Sequence, residues 1–489
     1  MKFLEDSGRQ KMAVLDSLKP EKVFGYFEEI TQIPHGSYNL DGIREYLIDF
    51  AKKNDIEYLA DTSGNIIFKK PAFCGYEDRP GVILQGHMDM VAVCEEGSGI
   101  DMKTTPLDIF VEGDLIGAHK TSLGGDNGIA VAMALAILES DDIPHPDLEV
   151  IITANEETGM EGASGLDIRN IKNRRLINLD SEDEGIFTVG CAGGARVSCF
   201  LDSDSPAPSE GCCFEISVSG LTGGHSGQMI HLGRANAIKV IGGILGCIPD
   251  AVITDIKGGN ADNAIPSWCS VTVCVPGTAC DTVTETVKAE AERLKESFKT
   301  TDPGFEFSVT SKARASVSIS LSARKASEFL KALPNGVISM SGDIEGLVQT
   351  SLNLGIIDIQ EGKLHAEFSV RSSIARERDA LIEDLKKITS GFGGTNKVTG
   401  VYPGWKYAPD SPLRDKMVRV FTEMYGYAPK VEAIHAGLEC GFFMDKAPDI
   451  DAVSIGPDMQ DIHSPAERLS ISSTRRTYEY LLKVLADKA

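Results

Sequence analysis

Positive charge is scarce in this chain. Lysine and arginine number 48 against 72 aspartates and glutamates, a formal net charge of −24. Nucleic-acid binding rests on clustered Lys and Arg facing phosphates, so the balance argues against such a partner. It is compatible with a cation site, although most of these carboxylates must simply be solvated. Long apolar runs are missing too. Met1 to Pro20 has no continuous apolar core, so no signal peptide is expected, and no later stretch is long enough to span a bilayer. The matching expectations are no membrane partner and a cytoplasmic location. Cys-x-x-Cys is absent. The eleven cysteines are scattered, adjacent only at Cys212 and Cys213. Several, such as Cys269 and Cys274, fall in apolar strand-like segments. They read as small buried hydrophobes in a reducing compartment, not as a disulfide or zinc-finger framework.

What is present is an ordinary globular balance, 42% hydrophobic and 25% charged. At 489 residues the chain exceeds what one core usually holds, so two or more domains are expected. Val82 to Val91 (VILQGHMDMV) carries the first chemistry. A short β-branched run suits a buried parallel strand, and ligands of open α/β sheets gather beyond the carboxyl ends of strands. His87 and Asp89 fall at that end, two apart and so on one side of an extended chain. One reading is a core histidine beside a solvated aspartate. The other is a metal ligand whose second ring nitrogen is held by a carboxylate.

The same pattern recurs. Thr121 to Gly128 (TSLGGDNG) opens an Ala-rich helix over Ile129 to Leu138 and places Asp126 near its positive end, as a helix cap or as a ligand. The strand Leu148 to Thr153 ends in Glu156-Glu157, read either as an ordinary surface loop that carries both at no cost or as adjacent carboxylates that repel each other unless a cation or proton separates them. Leu176 to Leu179 ends in Asp180. A late strand, Ala452 to Ile455, leads through a glycine turn to His463. Several strands therefore each deliver a His, Asp or Glu at the carboxyl end.

Gly190 to Tyr402 has a different texture. Its order reads βαββαβ twice, with one extra short strand. Leu232 to Ile248 is expected as a helix, and Ser316 to Ser320 as the strand that opens the second set. This predicts an inserted α+β lid of two ferredoxin-like lobes, about 190–311 and 312–402. The portions 1–189 and 403–489 then form one interrupted α/β domain.

The motifs GHMDMV, SLGGDNG, ITANEETG, LINLDSEDEG, GLTGGHSG and GPDMQDIHSP resemble those of the di-zinc metallopeptidase superfamily that contains aminoacylase and carnosinase. The likeness is greatest to its branch of bacterial aminoacyl-histidine (cytosol non-specific) dipeptidases. IPHGSYN, HSGQMIHLGRANA, YPGW and IHAGLECG extend it over nearly the whole chain. The resemblance implies a zinc-exopeptidase-like catalytic domain with a mixed, mainly parallel sheet. It implies two divalent metals, with Zn2+ ahead of Mn2+ or Co2+. His87 and Asp180 would hold one, Glu157 and His463 the other, and Asp126 would bridge them. Glu156 would be the general base, Asp89 the partner of the His87 ring, and His225 the oxyanion donor. Arg371 and Asn263 would take the substrate's terminal carboxylate, with a salt bridge inside the lid the other reading of Arg371, and Gly437 and Glu439 would hold its amino end. The implied activity is hydrolysis of Xaa-His and other dipeptides. Removal of an acyl group from N-acyl amino acids is the alternative, and a non-catalytic metal- or peptide-binding protein a third reading. Single-lobe relatives dimerise through the lid, but a doubled lid would complete a site alone, so monomer and homodimer both remain open.

Overall fold

The structure is a computed structural model that describes residues 13–206, 211–313 and 317–488. Most of the segment read for a signal peptide, 1–12, and Ser316 lie outside those residues. The chain divides into two compact units. One comprises Met1–Val189, Ala408–Glu432 and Phe442–Ala489, the other Gly190–Tyr407 and Ala433–Gly441.

The first unit is built on a mixed sheet. In spatial order its strands are Glu57–Ala60, Ile66–Lys70, Leu148–Thr153, Val82–His87, Arg175–Asn178, Asp451–Ser454, Ile186–Cys191 and Lys430–Ile434. The Leu148, Val82, Arg175 and Asp451 strands run parallel, and antiparallel partners flank them. All six residues of Val82–His87 are buried, as a strand between two parallel neighbours requires. The helix Gly125–Glu139 lies against it and is apolar on every side, so it is enclosed rather than amphipathic. Glu21–Thr31 covers that helix with Phe27 and Ile30, which lie 3.3 and 3.5 Å from where a Cβ on Gly128 would stand.

The second unit is one antiparallel sheet backed by helices. Its order is Glu306–Lys312, Cys212–Ser219, Cys269–Val275, Val252–Gly258, Val348–Gln360, Lys363–Ser372, Gly193–Leu201 and Thr395–Tyr402. The first four strands, with helices Ala237–Leu245 and Cys280–Phe298, have the 4-1-3-2 order of a ferredoxin-like module. The last four repeat that order with helices Ala323–Ala332 and Ala375–Gly391. The modules are nested, however, not consecutive. The opening strand of the second is Gly193–Leu201, which pairs with Lys363–Ser372 and Thr395–Tyr402. Residues 317–320, expected as that strand, form none. The extra short strand of the sequence pattern, Val337 to Met340, forms as Gly336–Met340 and pairs with Val348–Gln360 outside that order, and the strand missing from the pattern is Gly193–Leu201, separated from its module by the whole of the other.

Three further expectations change. The helix expected from Leu232 starts later. Ile230–Leu232 is a short 3-10 turn, Gly233 takes φ 66°, and the Asn236 side chain caps Ala237–Leu245. Ala433–Gly441, expected with the catalytic portion, belongs to the second unit. There Ala192 N–H donates to Ala436 O at 2.9 Å, and Ser351 Oγ lies 2.7 Å from His435 Nε2. Finally, four cysteines form disulfides, Cys212–Cys280 and Cys213–Cys274, contrary to the thiol reading. Cys213 and Cys274 face each other across adjacent strands, and such register leaves no mark in the sequence. Closing loops of this length stabilises by about 4 kcal/mol each on the chain-entropy account. Unfolded without reductant, the protein should therefore expose seven thiols and, after reduction, all eleven. Eleven without reductant would contradict the pairing.

Candidate metal centre

The carboxyl ends of the parallel strands bring the expected ligands together. His87 closes its strand, Asp180 follows Arg175–Asn178 by two residues, and Glu156–Gly159 is a short helix just past Leu148–Thr153. Asp126 sits where the helix Gly125–Glu139 begins. His463, at φ 60°, follows the short strand Met459–Gln460.

Asp126 is shared. Its Oδ1 lies 3.1 Å from His87 Nε2 and its Oδ2 3.2 Å from His463 Nε2. Asp180 Oδ1 is 3.3 Å from His87 Nε2, and Glu157 Oε2 is 3.1 Å from His463 Nε2. Two ligands of one tetrahedral zinc stand roughly 3.3 Å apart, given bonds near 2.0–2.1 Å. His87, Asp126 and Asp180 form one group able to hold an ion, and Asp126, Glu157 and His463 another. Glu157 Oε1 is buried without a hydrogen-bond partner. The residues present therefore fit two cations joined through Asp126.

The charges point the same way. Burial alone would lower the His87 imidazole, but Asp180, Asp126 and Asp89 outweigh it and hold it well above its ordinary value. Hydrogen bonds to Asp126 and Glu157 push His463 up to about 10. Burial, aided by the charges of Asp126 and Glu157, raises Asp180 to about 6 against the pull of His87. Burial and the charges of Asp126 and Asp180 raise Glu182 to about 7. This excess of negative charge is what bound cations would neutralise.

Asp89 differs in detail from its expected role. The His87 Nδ1 lies 2.9 Å from Asp89's main-chain oxygen and 3.5 Å from its carboxylate. Besides that contact with the His87 ring, the carboxylate accepts the N–H of Glu156 at 2.9 Å and of Glu157 at 3.3 Å, and the Ser37 hydroxyl at 2.8 Å. It fixes the backbone of the glutamate pair. Asp89→Asn, which puts donors against donors, is expected to lower activity about 10–100-fold with the fold intact. Wild-type turnover, measured beside a circular dichroism spectrum, would refute this role.

Two buried side chains that the sequence did not single out brace the ligands. Asn127 donates to Leu179 O at 2.8 Å and accepts from His87 N–H at 3.2 Å, so one amide ties the chain at His87, Asp126 and Asp180. Gly86 makes room for it, since a Cβ there would stand 2.4 Å from Asn127 Oδ1. Glu467 holds the Leu123–Asp126 turn.

The remaining expected residues lie in the second unit. The Gly224–His225 strand pairs with Ala264–Ile265, and Ser226 N–H donates to Asn263 O, so His225 and Asn263 are neighbours. Asp302, fully buried, accepts N–H groups from Thr222 and Ala235 and closes the loop that carries His225. Gln228 N–H donates to His225 Nδ1 at 3.2 Å, which leaves the ring proton on Nε2. Burial and Arg371 lower His225, and they push His435 down to about 4. Arg371 is buried, its Nε has no partner, and its Nη1 donates to Tyr402 Oη at 3.4 Å. Among the described residues no carboxylate pairs with it. Gly437 and Glu439 lie on the same unit's Ala433–Gly441 segment, and Glu439 is fully buried.

A mixed sheet whose parallel strand ends converge two histidines and several carboxylates on one shared aspartate defines a metal-dependent hydrolase. The profile of peptidase family M20/M25/M40 matches residues 83–487, and the chain belongs to that family. It is 34% identical over 481 residues to the cytosol non-specific dipeptidase of Escherichia coli (strain K12), covering 97% of this chain and 99% of that one. Among solved structures, aminoacylhistidine dipeptidase from Vibrio alginolyticus matches with TM-score 0.88 and 34% identity, over 96% of this chain and 97% of that one. The aminopeptidase PepT from Bacillus cereus shares the fold alone, with TM-score 0.54 and 17% identity over 96% and 98% of the two chains.

Proposed function

We propose that this chain hydrolyses dipeptides, Xaa-His among them, with two divalent cations, Zn2+ first and Mn2+ or Co2+ as substitutes. The observation that carries the reading is Asp126, with one oxygen toward each histidine. His87 and Asp180 would hold one ion, Glu157 and His463 the other, and Asp126 both. Bound there, the ions would polarise the scissile carbonyl and acidify the attacking water. Glu156 takes the proton from that water as the C–O bond forms, then gives it to the amine as the C–N bond breaks. The Nε2–H of His225 suits an oxyanion, because a neutral imidazole with Nδ1 occupied has one donor to aim. Arg371, buried without a carboxylate, and Asn263 receive the substrate's terminal carboxylate. Gly437 and Glu439 hold the amino end.

A dipeptide and its N-acetyl form separate this activity from deacylation of N-acyl amino acids. The dipeptide should be cleaved and the acetylated one spared; the reverse would overturn the reading. Among the described residues no helix is long and apolar enough to cross a membrane. We place the enzyme in the cytoplasm, in line with the name of the Escherichia coli relative. Cell fractionation tests that placement: dipeptidase activity recovered with the cytoplasmic fraction is expected, and activity outside it would overturn the placement.

A further inference from the structure

The turn that carries Asp126 has no cap of its own. Helix N-termini leave backbone N–H groups without intrahelical partners, and a Ser, Thr, Asp or Asn at the cap commonly satisfies one of them. Here the sequence offers Leu123, Gly124 and Gly125, and no side chain of the turn caps it. The N–H groups converge instead on one carboxylate from near the other end of the chain. Glu467 Oε2 accepts from Leu123 at 2.7 Å and from Gly124 at 3.1 Å. Its Oε1 accepts from Gly125 at 2.8 Å and from Asp126 itself at 3.4 Å. Glu467 is 2% exposed. The glycines are shaped to it: Gly124 takes φ 68°, and a Cβ on Gly125 would lie 3.2 Å from Glu467 Oε1.

Glu467 also follows His463 by four residues. One segment therefore delivers a ligand of one ion and grips the turn that presents the ligand shared by both. We propose that Glu467 is a positioning residue for the metal pair: its carboxylate sets the Leu123–Asp126 turn so that Asp126 offers one oxygen to each histidine. It touches neither substrate nor metal. The inference rests on the two-cation reading and concerns the affinity of the pair, not the proton transfers of Glu156.

Glu467→Gln keeps the side chain's shape but replaces one oxygen by an NH2 group. Two backbone donors then face a donor. With the enzyme stripped by chelator, Zn2+ and Co2+ titrations followed by calorimetry should show binding about 10–100-fold weaker than in wild type. The visible spectrum of the Co2+-loaded variant should shift, because the Asp126 oxygens are displaced. Excess metal should restore turnover with an unchanged KM. Wild-type affinity and an unchanged Co2+ spectrum in a folded Glu467→Gln protein would overturn the proposal. Should that variant not fold, Gly125→Ala crowds Oε1 while leaving the carboxylate in place. It should weaken binding in the same direction, and wild-type affinity there would count equally against the role. Wild-type protein that binds both metals yet cleaves no dipeptide would overturn the dipeptidase reading instead, and the titrations would still decide this inference.

Discussion

Glu156→Gln is expected to lower kcat for dipeptide hydrolysis about 10³-fold while metal binding stays at the wild-type level. The two adjacent glutamates divide their work. Glu157 Oε2 lies 3.1 Å from His463 Nε2, within the group that would hold an ion. Glu156 reaches the same side, within a cluster that includes His87 and Glu157, but belongs to neither group built on Asp126. The Glu156 N–H donates to Asp89 Oδ1, which fixes the backbone from which the side chain projects. Glutamine keeps that geometry and cannot take a proton. A positioned general base contributes about 10²–10⁴-fold, and that contribution is what disappears. Metal content measured on the same preparation separates this loss from loss of the ions. A kcat within tenfold of wild type, with both metals bound, would remove Glu156 from the role.

Asp126→Ala should do more damage by a different route. Both Asp126 oxygens are committed, one toward each histidine. Alanine leaves each group one ligand short and leaves Asp180 and Glu157 less well separated by cations. Metal content should fall below two per chain, and turnover should drop at least about 10³-fold, since the ions supply several kcal/mol of transition-state stabilisation. Excess metal should not restore it, in contrast to Glu467→Gln. Two tightly bound ions and near-normal turnover in Asp126→Ala would show that the aspartate is not shared.

Much of this site was legible because its chemistry sits at strand ends. The buried run Val82–His87, the apolar strand Leu148–Thr153 and the strand Arg175–Asn178 could be read from local pattern, and each is followed by a ligand. What stayed hidden depends on register and distance. Gly193–Leu201 was not read as a strand, and its partners lie roughly 160–210 residues further on with a whole module intervening. The Cys213–Cys274 pair needs the register of two strands. The late start of Ala237–Leu245 had a local cue in Asn236, a strong N-cap, which the apolar run obscured. Asp89 was read as the carboxylate of the His87 ring because spacing placed both on one side. The structure keeps that pairing at 3.5 Å and adds what spacing could not show, the Glu156 and Glu157 N–H groups that the same carboxylate accepts. Glu467 gave no signal in Ala466-Glu467-Arg468, where it reads as a solvated loop residue, yet four backbone N–H groups close on it.

The central claim is that two cations joined by Asp126 hydrolyse dipeptides. Its most direct test strips the protein with chelator, restores Zn2+, Mn2+ or Co2+ in measured amounts, and follows a dipeptide panel that includes carnosine. Activity absent from the stripped protein, returning with metal and reaching its maximum at two ions per chain, is the predicted result. Hydrolysis by the metal-free protein, or no hydrolysis of any dipeptide with any of the three metals bound, would contradict it.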